Sequence, residues 1–295
     1  MIERDVTAFR PRLFGLAYRM LGTPADADDV VQEAFVRWQG TDRNVVRDPE
    51  AWLVRTATRV AIDRLRALKV ERERYSGPWI PEPVVRDIRD DPERQVEVAE
   101  DISVAFLYVL ERLGPDERAA FILHDVFDYP HAEVAEILDR SEEAVRQMVH
   151  RARTRMRAER PRFNVDRKKV ARVVDRFVHA FEAGDESELR AVLALDVTHL
   201  ADGGGEVAAT REAVLGRGKV ARLLAGLHAK FWGDNSFERV DVNGAPGLFV
   251  RDGEGNAIGI IAFTTDGDVI HNLHVVVAPG KLAHVLARGS ATTDE

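Results

Sequence analysis

Leu113-Gly-Pro-Asp-Glu-Arg118, a short apolar run, His131-Ala-Glu-Val-Ala-Glu-Ile-Leu138, Asp139-Arg140-Ser141 and Glu142 through Arg157 form two helical patterns that meet at a three-residue turn. Ser141 stands where an N-cap belongs, and Glu142 and Glu143 occupy the first turn, where the helix dipole favours acids. In the second helix Val145, Val149, Ala152 and Met156 make one apolar stripe. Arg146, His150, Arg153 and Arg157 make a basic stripe one residue further on, roughly 100° around the helix. A helix docked along one face and basic along another is suited to a DNA major groove. An αα-hairpin with a solvated arginine face is the plainer alternative. The N-cap, the short turn and the basic surplus favour DNA.

Working outward, charge is unevenly spread. The chain has 295 residues and a net charge of −8, whereas an autonomous DNA binder is usually basic. Yet residues 140–162 carry +5, residues 55–74 carry +4 and residues 87–101 carry −5. Basic islands on an acidic chain suit a protein that another machine delivers to DNA, because its own bulk attraction to the polyanion is small. There is no cysteine, which excludes disulfides, thiolate metal sites and cysteine nucleophiles. No metal or cofactor is expected. The N-terminus has no apolar leader and no window approaches a membrane span, so the expectation is a cytoplasmic protein without membrane contact.

Helical patterns run from Val6 to Trp38, with a break at Gly22-Thr-Pro24, and from Glu50 to Tyr75. Three prolines in Pro78-Trp-Ile-Pro-Glu-Pro83 remove donors and fix φ, which makes an extended linker. Beyond Arg160-Pro161 come helices over 167–183, 186–194 and 217–232. Alternating runs over 237–243, 247–251, 257–265 and 268–277 follow, separated by Asn-Gly and Asp-Gly turns. Helices followed by a strand meander indicate an α+β domain. The expected division is 1–75, a linker over 76–100, 101–160, an α+β domain over 165–284 and a frayed tail over 285–295.

Several ordered motifs over roughly residues 5–157 resemble regions 2 and 4 of bacterial extracytoplasmic-function sigma factors. They are Asp26-Ala-Asp-Asp-Val-Val-Gln-Glu-Ala-Phe35, Ala51-Trp52-Leu53 with Ala61-Ile-Asp-Arg-Leu-Arg66, and His150-Arg-Ala-Arg-Thr-Arg-Met156. The Trp79-Ile-Pro-Glu-Pro83 linker, the Asp202-Gly203-Gly204-Gly205 turn and the appended α+β domain resemble the sigma-J-like subgroup, which fuses a SnoaL-like domain of the NTF2 superfold behind region 4. The resemblance implies two all-α sigma domains followed by an α+β cone. It further implies a core RNA polymerase specificity subunit that reads −35 and −10 promoter elements, is modulated in cis by its last domain, and is monomeric when free. Asp26, Asp29, Gln32, Glu33 and Phe35 are the candidate contacts to the polymerase clamp.

Candidate −35 contacts are Ser141, Arg146, Gln147, His150, Arg151, Arg153 and Arg157. Arg146 and Gln147 are placed for base edges, and Arg151, Arg153 and Arg157 for phosphate. Candidate −10 contacts are Trp52, Arg55, Arg59, Arg64 and Arg66, since an opened strand needs an aromatic platform and arginines along its backbone. Trp52 alone reads more readily as a core residue, and the arginines are the better contacts. Trp79, Pro81, Pro83 and the Asp202–Gly205 turn are candidate regulatory contacts: a stiff apolar hook and a bare-backbone turn. Their plainer alternative is a simple linker and a simple turn. His199, His271 and His274 with Asp196 and Asp202 do not make a recognisable catalytic set, so no enzyme activity is expected. A small-molecule ligand in the cone is the alternative reading of the last domain, as a sensor or NTF2-type enzyme fused to a DNA-binding module.

Overall fold

The structure is a computed structural model that describes residues 6–86, 102–159 and 165–291. The acidic segment 87–101, the Arg160-Pro161 boundary and residues 292–295 lie outside the described residues. The chain divides into two compact units. The first comprises residues 1–74, 96–100 and 106–160, and the second comprises 75–95, 101–105 and 161–295. The division differs from the expected one in two ways. The segments expected as two separate all-α domains share one unit, and the linker segment that follows Arg74 belongs with the C-terminal part of the chain.

In the first unit a short 3-10 turn at Val6–Phe9 leads into α1 (Arg10–Leu21), α2 (Pro24–Gln39) and α3 (Pro49–Arg72). Gly22 adopts φ 74° and its amide closes on the Tyr18 carbonyl, so α1 ends where only glycine turns without strain. Pro24 and Pro49 open the next two helices, and the Asp48 carboxylate caps α3 by accepting from the Ala51 amide. Leu13, Leu16, Val31, Leu53, Ala57 and Ala61 fill the space between these helices. After α4 (Val104–Leu110), α5 (Pro115–Phe121) runs into a single π turn, Ile122–Val126, and then come α6 (His131–Leu138) and α7 (Glu142–Glu159). Asp139 takes the left-handed conformation, φ 56°, that a three-residue helix-turn-helix bend requires.

A buried ion-pair cluster joins the two halves of this unit. Glu111 accepts from Arg118 at 2.7 Å and also pairs with Arg72. Arg118, 2% exposed, also donates to the Met20 carbonyl at 2.7 Å, and Arg72 donates to the Leu21 carbonyl at 2.5 Å. The two arginines thus satisfy the last carbonyls of α1, which have no partner inside the helix. Burial pulls the Arg72 guanidinium below its ordinary value, against the pull of Glu111.

Among the described residues the second unit is one seven-stranded sheet with four helices. In chain order it contains β1 (Val85–Arg86), α8 (Arg167–Glu182), α9 (Glu186–Val192), β2 (Leu193–Asp202), β3 (Val214–Leu215) and α10 (Arg217–Phe231). There follow β4 (Ser236–Val242), β5 (Ala245–Arg251), β6 (Ala257–Thr265), β7 (Ile270–Val276) and α11 (Pro279–Ala291). The strand order is β1-β4-β5-β6-β7-β2-β3, parallel only between β2 and β7. Asp166 and Asp185 cap α8 and α9 by accepting amide hydrogen bonds. Phe177, Leu189, Leu193, Val197, Val220, Leu248, Ile270 and Leu273 form the core under α8, α9 and α10.

The α+β expectation holds, with four corrections. Residues 193–194 begin β2, where a helix was expected, because Leu193, Ala194 and Val197 are buried against the sheet. Residues 85–86 are a strand, not free linker, since Val85 pairs with Val242 on the sheet's edge. Val214–Leu215 pair with His199 and Thr198 as a short edge strand. The frayed tail expected from residue 285 is instead helical to Ala291, with Val285 buried.

Candidate nucleic-acid interface and linker-docking site

In α7 Val145, Met148, Val149, Ala152 and Met156 are buried, and Ser141, Arg146, Gln147, His150, Arg151 and Arg153 are exposed. The Ser141 hydroxyl accepts from the Ala144 amide at 3.2 Å, as an N-cap does. Arg146 pairs with Glu142 one turn back. Arg151 and Arg155 share Glu117, at 2.7 and 2.6 Å, and the Arg153 guanidinium grips Asp125 at 2.6 Å. Asp125 in turn holds the Arg153 guanidinium above its ordinary value. Arg155, absent from the expected set, lies among these cations. The Arg157 side chain lies outside the described residues.

On α3, Arg55 and Arg59 are exposed, and Arg66 bridges to Asp116, which also pairs with Arg140. Trp52 is half-buried and packs edge-on against Trp38, with ring centroids 5.3 Å apart, so the core reading of this residue has geometric support. Arg64 and Asp26, expected to face different partners, face each other at 2.7 Å, and Thr23 also donates to Asp26. Asp26 raises the Arg64 guanidinium above its ordinary value. On α2, Asp29, Gln32, Glu33 and Val36 form an exposed face, with Phe35 half-buried beside it. Val36 was missed because a valine within an amphipathic run reads as core. Its 62% exposure makes it an apolar centre among acids.

In the second unit the linker and the Asp202 turn come together. Asp202 is fully buried. Its carboxylate accepts from the Tyr75 hydroxyl (2.6 Å), the Ile80 amide (2.9 Å), the Gly204 amide (3.0 Å) and the Lys281 ammonium (2.6 Å). Burial, with the Asp202 carboxylate beside it, pushes the Tyr75 phenol up. Lys281 donates as well to the Ile80 carbonyl, and its ammonium sits 4.2 Å above the Trp79 ring centre. Ile80, Pro81, Glu82 and Pro83 are buried, and His284 of α11 reaches Glu82 at 3.4 Å. Asn243 exchanges hydrogen bonds with Val84 through its side chain (3.0 Å) and its amide (2.8 Å), and the chain then enters β1.

Glycine is required at all three positions of the turn, at Gly204 by its φ of 67°. A Cβ on Gly203 would stand 2.3 Å from the Val207 carbonyl oxygen, and Gly205, at φ 77°, would meet Ser76 at 3.0 Å. Gly203 therefore shapes the turn itself, while Gly205 lets the linker approach. Tyr75, Ile80, Lys281 and Asn243 were not singled out in the sequence, because their partners lie 122 to 201 residues away in most cases.

A cavity of about 700 Å³ lies between the sheet and the helices α8, α10 and α11, with His199 among its lining. His199 is 3% exposed, and burial depresses its pKa to about 4. His274, also buried, is likewise depressed to about 4. His271 stands apart, bound to Asp266 at 3.0 Å and 3.8 Å from Asp196. Among the described residues no cluster of histidines and carboxylates could hold a metal ion, and no helix is long and apolar enough to cross a membrane.

The buried histidines make the second unit acid-sensitive. The unfolded chain takes up a proton near pH 6.5, whereas folded His199 resists until about pH 4, so stability falls as pH drops through that window. The loss for one such group approaches about 3 kcal/mol. Denaturant titrations at pH 7 and 4.5 should show the wild type losing more than His199→Phe. Equal losses would refute a neutral buried His199.

Two family models match this chain: sigma-70 region 2 over residues 6–70 and sigma-70 region 4 over residues 103–156. The two matched segments fall on α1–α3 and on the α4–α7 helices that carry the basic face, which defines a sigma-70-type initiation factor. The ECF RNA polymerase sigma factor SigJ of Mycobacterium tuberculosis is 43% identical over 229 residues, covering 77% of this chain and 73% of that protein. The probable ECF sigma factor SigI of the same species is 29% identical over 281 residues, covering 93% and 92%. The crystal structure of M. tuberculosis SigJ matches with a TM-score of 0.76 at 36% identity, over 95% of this chain and 97% of that one. The chain belongs to the extracytoplasmic-function RNA polymerase sigma factors, and its function is promoter recognition and transcription initiation.

Proposed function

We propose that this sigma factor docks on the polymerase clamp through the exposed face of α2, reads the −35 element with α7 and the −10 element with α3, and is modulated in cis through the linker held by Asp202 and Lys281. Asp29, Gln32, Glu33 and Val36 are the docking face, with Phe35 at its edge. Asp26 contributes by fixing Arg64, not by touching the clamp. Arg146, Gln147 and His150 face DNA near the start of α7. Arg151, Arg153 and Arg157 contact phosphates, and Arg151 and Arg153 exchange their partners Glu117 and Asp125 for the phosphate backbone. Such exposed pairs are worth at most about 1 kcal/mol, so the exchange is easy. On α3, Arg55, Arg59 and Arg66 track the opened strand, while Trp52 supports the surface through Trp38. The protein works in the cytoplasm, where polymerase and promoter are.

The observation that carries the cis reading is the fully buried Asp202 carboxylate, spent on the linker and on α11. Tyr75–Arg86 is part of the segment that connects the two sigma regions, so whatever grips it shortens the free tether between α3 and α7. The α+β unit acts by binding, not by catalysis: among the described residues His199 is the one titratable side chain lining its cavity, and proton transfer needs a partner.

Promoter binding by the full chain with core polymerase tests the division of labour on α7. Arg146→Ala or Gln147→Ala should cost about 1–3 kcal/mol and relax preference at one or two upstream bases. Arg151→Ala or Arg153→Ala should weaken all sequences alike and shallow the salt dependence. Uniform losses in both pairs would refute base reading by Arg146 and Gln147.

A further inference from the structure

We propose that the α+β unit is a receptor for an uncharged, ring-sized apolar molecule bearing one hydroxyl or carbonyl oxygen, and that α11 transmits its occupancy to the linker. The output on transcription rests on the cis reading above, but the binding and the coupling do not.

The cavity's size, about 700 Å³, is that of a small-molecule site. Its wall is aromatic and aliphatic, with Phe177, Phe181, Leu224, Trp232, Phe237 and Ile261 prominent. At the edge the apolar side chains Phe231 and Ile258 remain 58% and 38% exposed, an arrangement a soluble domain avoids unless something covers it. Besides the Trp232 indole, two polar side chains among the described residues line the space. The Asn235 amide is committed to the Phe231 carbonyl at 3.1 Å. His199 Nδ1 is buried without a hydrogen-bond partner, which is costly unless a ligand completes it. A hydroxyl answers either tautomer of the neutral ring, as donor or as acceptor. A charged ligand would find no counter-ion in this lining.

The same helix forms the cavity wall and the linker clamp. Leu282 and Leu286, one turn apart, line the cavity, while Lys281 and His284, three apart, hold Asp202, Ile80 and Glu82. A second route runs through the turn: Val207 and Ala208 line the cavity, and the Val207 amide donates to the Gly203 carbonyl next to Asp202. A guest that shifts α11 or the turn therefore changes the hydrogen bond from the Ile80 amide to Asp202. It shifts the linker only by as much as its affinity differs between the held and the released state.

The test uses the full chain, with 2-naphthol as probe and naphthalene as its oxygen-free counterpart. Calorimetry should give one saturable site that favours 2-naphthol by about tenfold, the worth of one hydrogen bond. His199→Phe should erase that preference while naphthalene still binds. Leu227→Trp, which fills the cavity from a half-buried position, should abolish both. Hydrogen exchange at the Ile80 amide should change by about fivefold or more on saturation with 2-naphthol. No saturable binding, or binding undiminished in Leu227→Trp, overturns the receptor. Saturation with no change at Ile80 overturns the coupling. Transcription insensitive to Lys281→Met would instead refute the cis reading and leave the receptor standing.

Discussion

Asp202→Ala is expected to release residues 75–86 from the α+β unit and to cost about 3–5 kcal/mol, the usual loss when one member of a buried charge pair is removed. The carboxylate has four donors, and the substitution takes this acceptor from all of them: the Tyr75 hydroxyl, the Ile80 and Gly204 amides and the Lys281 ammonium. Lys281 is the costly one, since its side chain is only 11% exposed. Removing it together with Asp202 should be milder than the sum of the single changes, which is the signature of a direct pair. Asp202→Asn should fall between, because its amide oxygen still accepts from the Ile80 amide. Hydrogen exchange reads the result at Ile80 and Val84. Unchanged protection there in Asp202→Ala would mean that β1 pairing with β4 holds the linker without the carboxylate.

A comparable loss is expected in the first unit from Arg118→Met. Arg118 is 2% exposed and donates both to Glu111 and to the Met20 carbonyl, so its removal leaves a carboxylate and a helix-end carbonyl short of a donor. About 3–5 kcal/mol is expected, a large share of the stability of an ordinary domain. The methionine keeps the apolar bulk of the side chain, so the loss reports charge and hydrogen bonding more than cavity formation. Glu111→Leu should be equally harmful, because it strands two guanidiniums. The triple replacement Arg72→Met, Glu111→Leu, Arg118→Met should recover much of the loss, as buried ion clusters often exchange for apolar packing without penalty. Thermal melts of the four proteins decide it. A neutral Arg118→Met would show that the cluster contributes nothing to cohesion of the unit.

The parts of this molecule that were legible in its sequence are the ones written in local pattern. The turn at Asp139-Arg140-Ser141, the buried stripe of α7 and all four expected strands stand within two residues of their anticipated bounds. The linker motif and the Asp202–Gly205 turn were singled out as a pair, and they do meet. The donors that join them were illegible, because Tyr75 and Lys281 look like surface residues until a carboxylate from β2 reaches them. Asp26 and Arg64 were assigned to different partners for the same reason. An acid at a helix start and a base on a distant helix carry no sequence sign of pairing. Arg118 is the sharpest case: an arginine in a Pro-Asp-Glu-Arg helix start reads as solvated, yet among the described residues it is the largest side chain that is fully buried. The β1 and β3 edge strands, two residues each, are too short for any period to show.

Transcription from a cognate promoter by purified core polymerase, with wild-type chain or Lys281→Met added in equal amounts, tests the account at its centre. Lys281 belongs to the α+β unit and holds the linker through Asp202 and the Ile80 carbonyl, so its substitution tests that grip. The wild type should yield a promoter-specific transcript that core polymerase alone does not make. Lys281→Met should change its yield by about fivefold or more, the range of an ordinary coupling free energy. Identical yields from the two proteins, with Ile80 exchange accelerated in the variant, would contradict the claim that the grip on the linker sets activity.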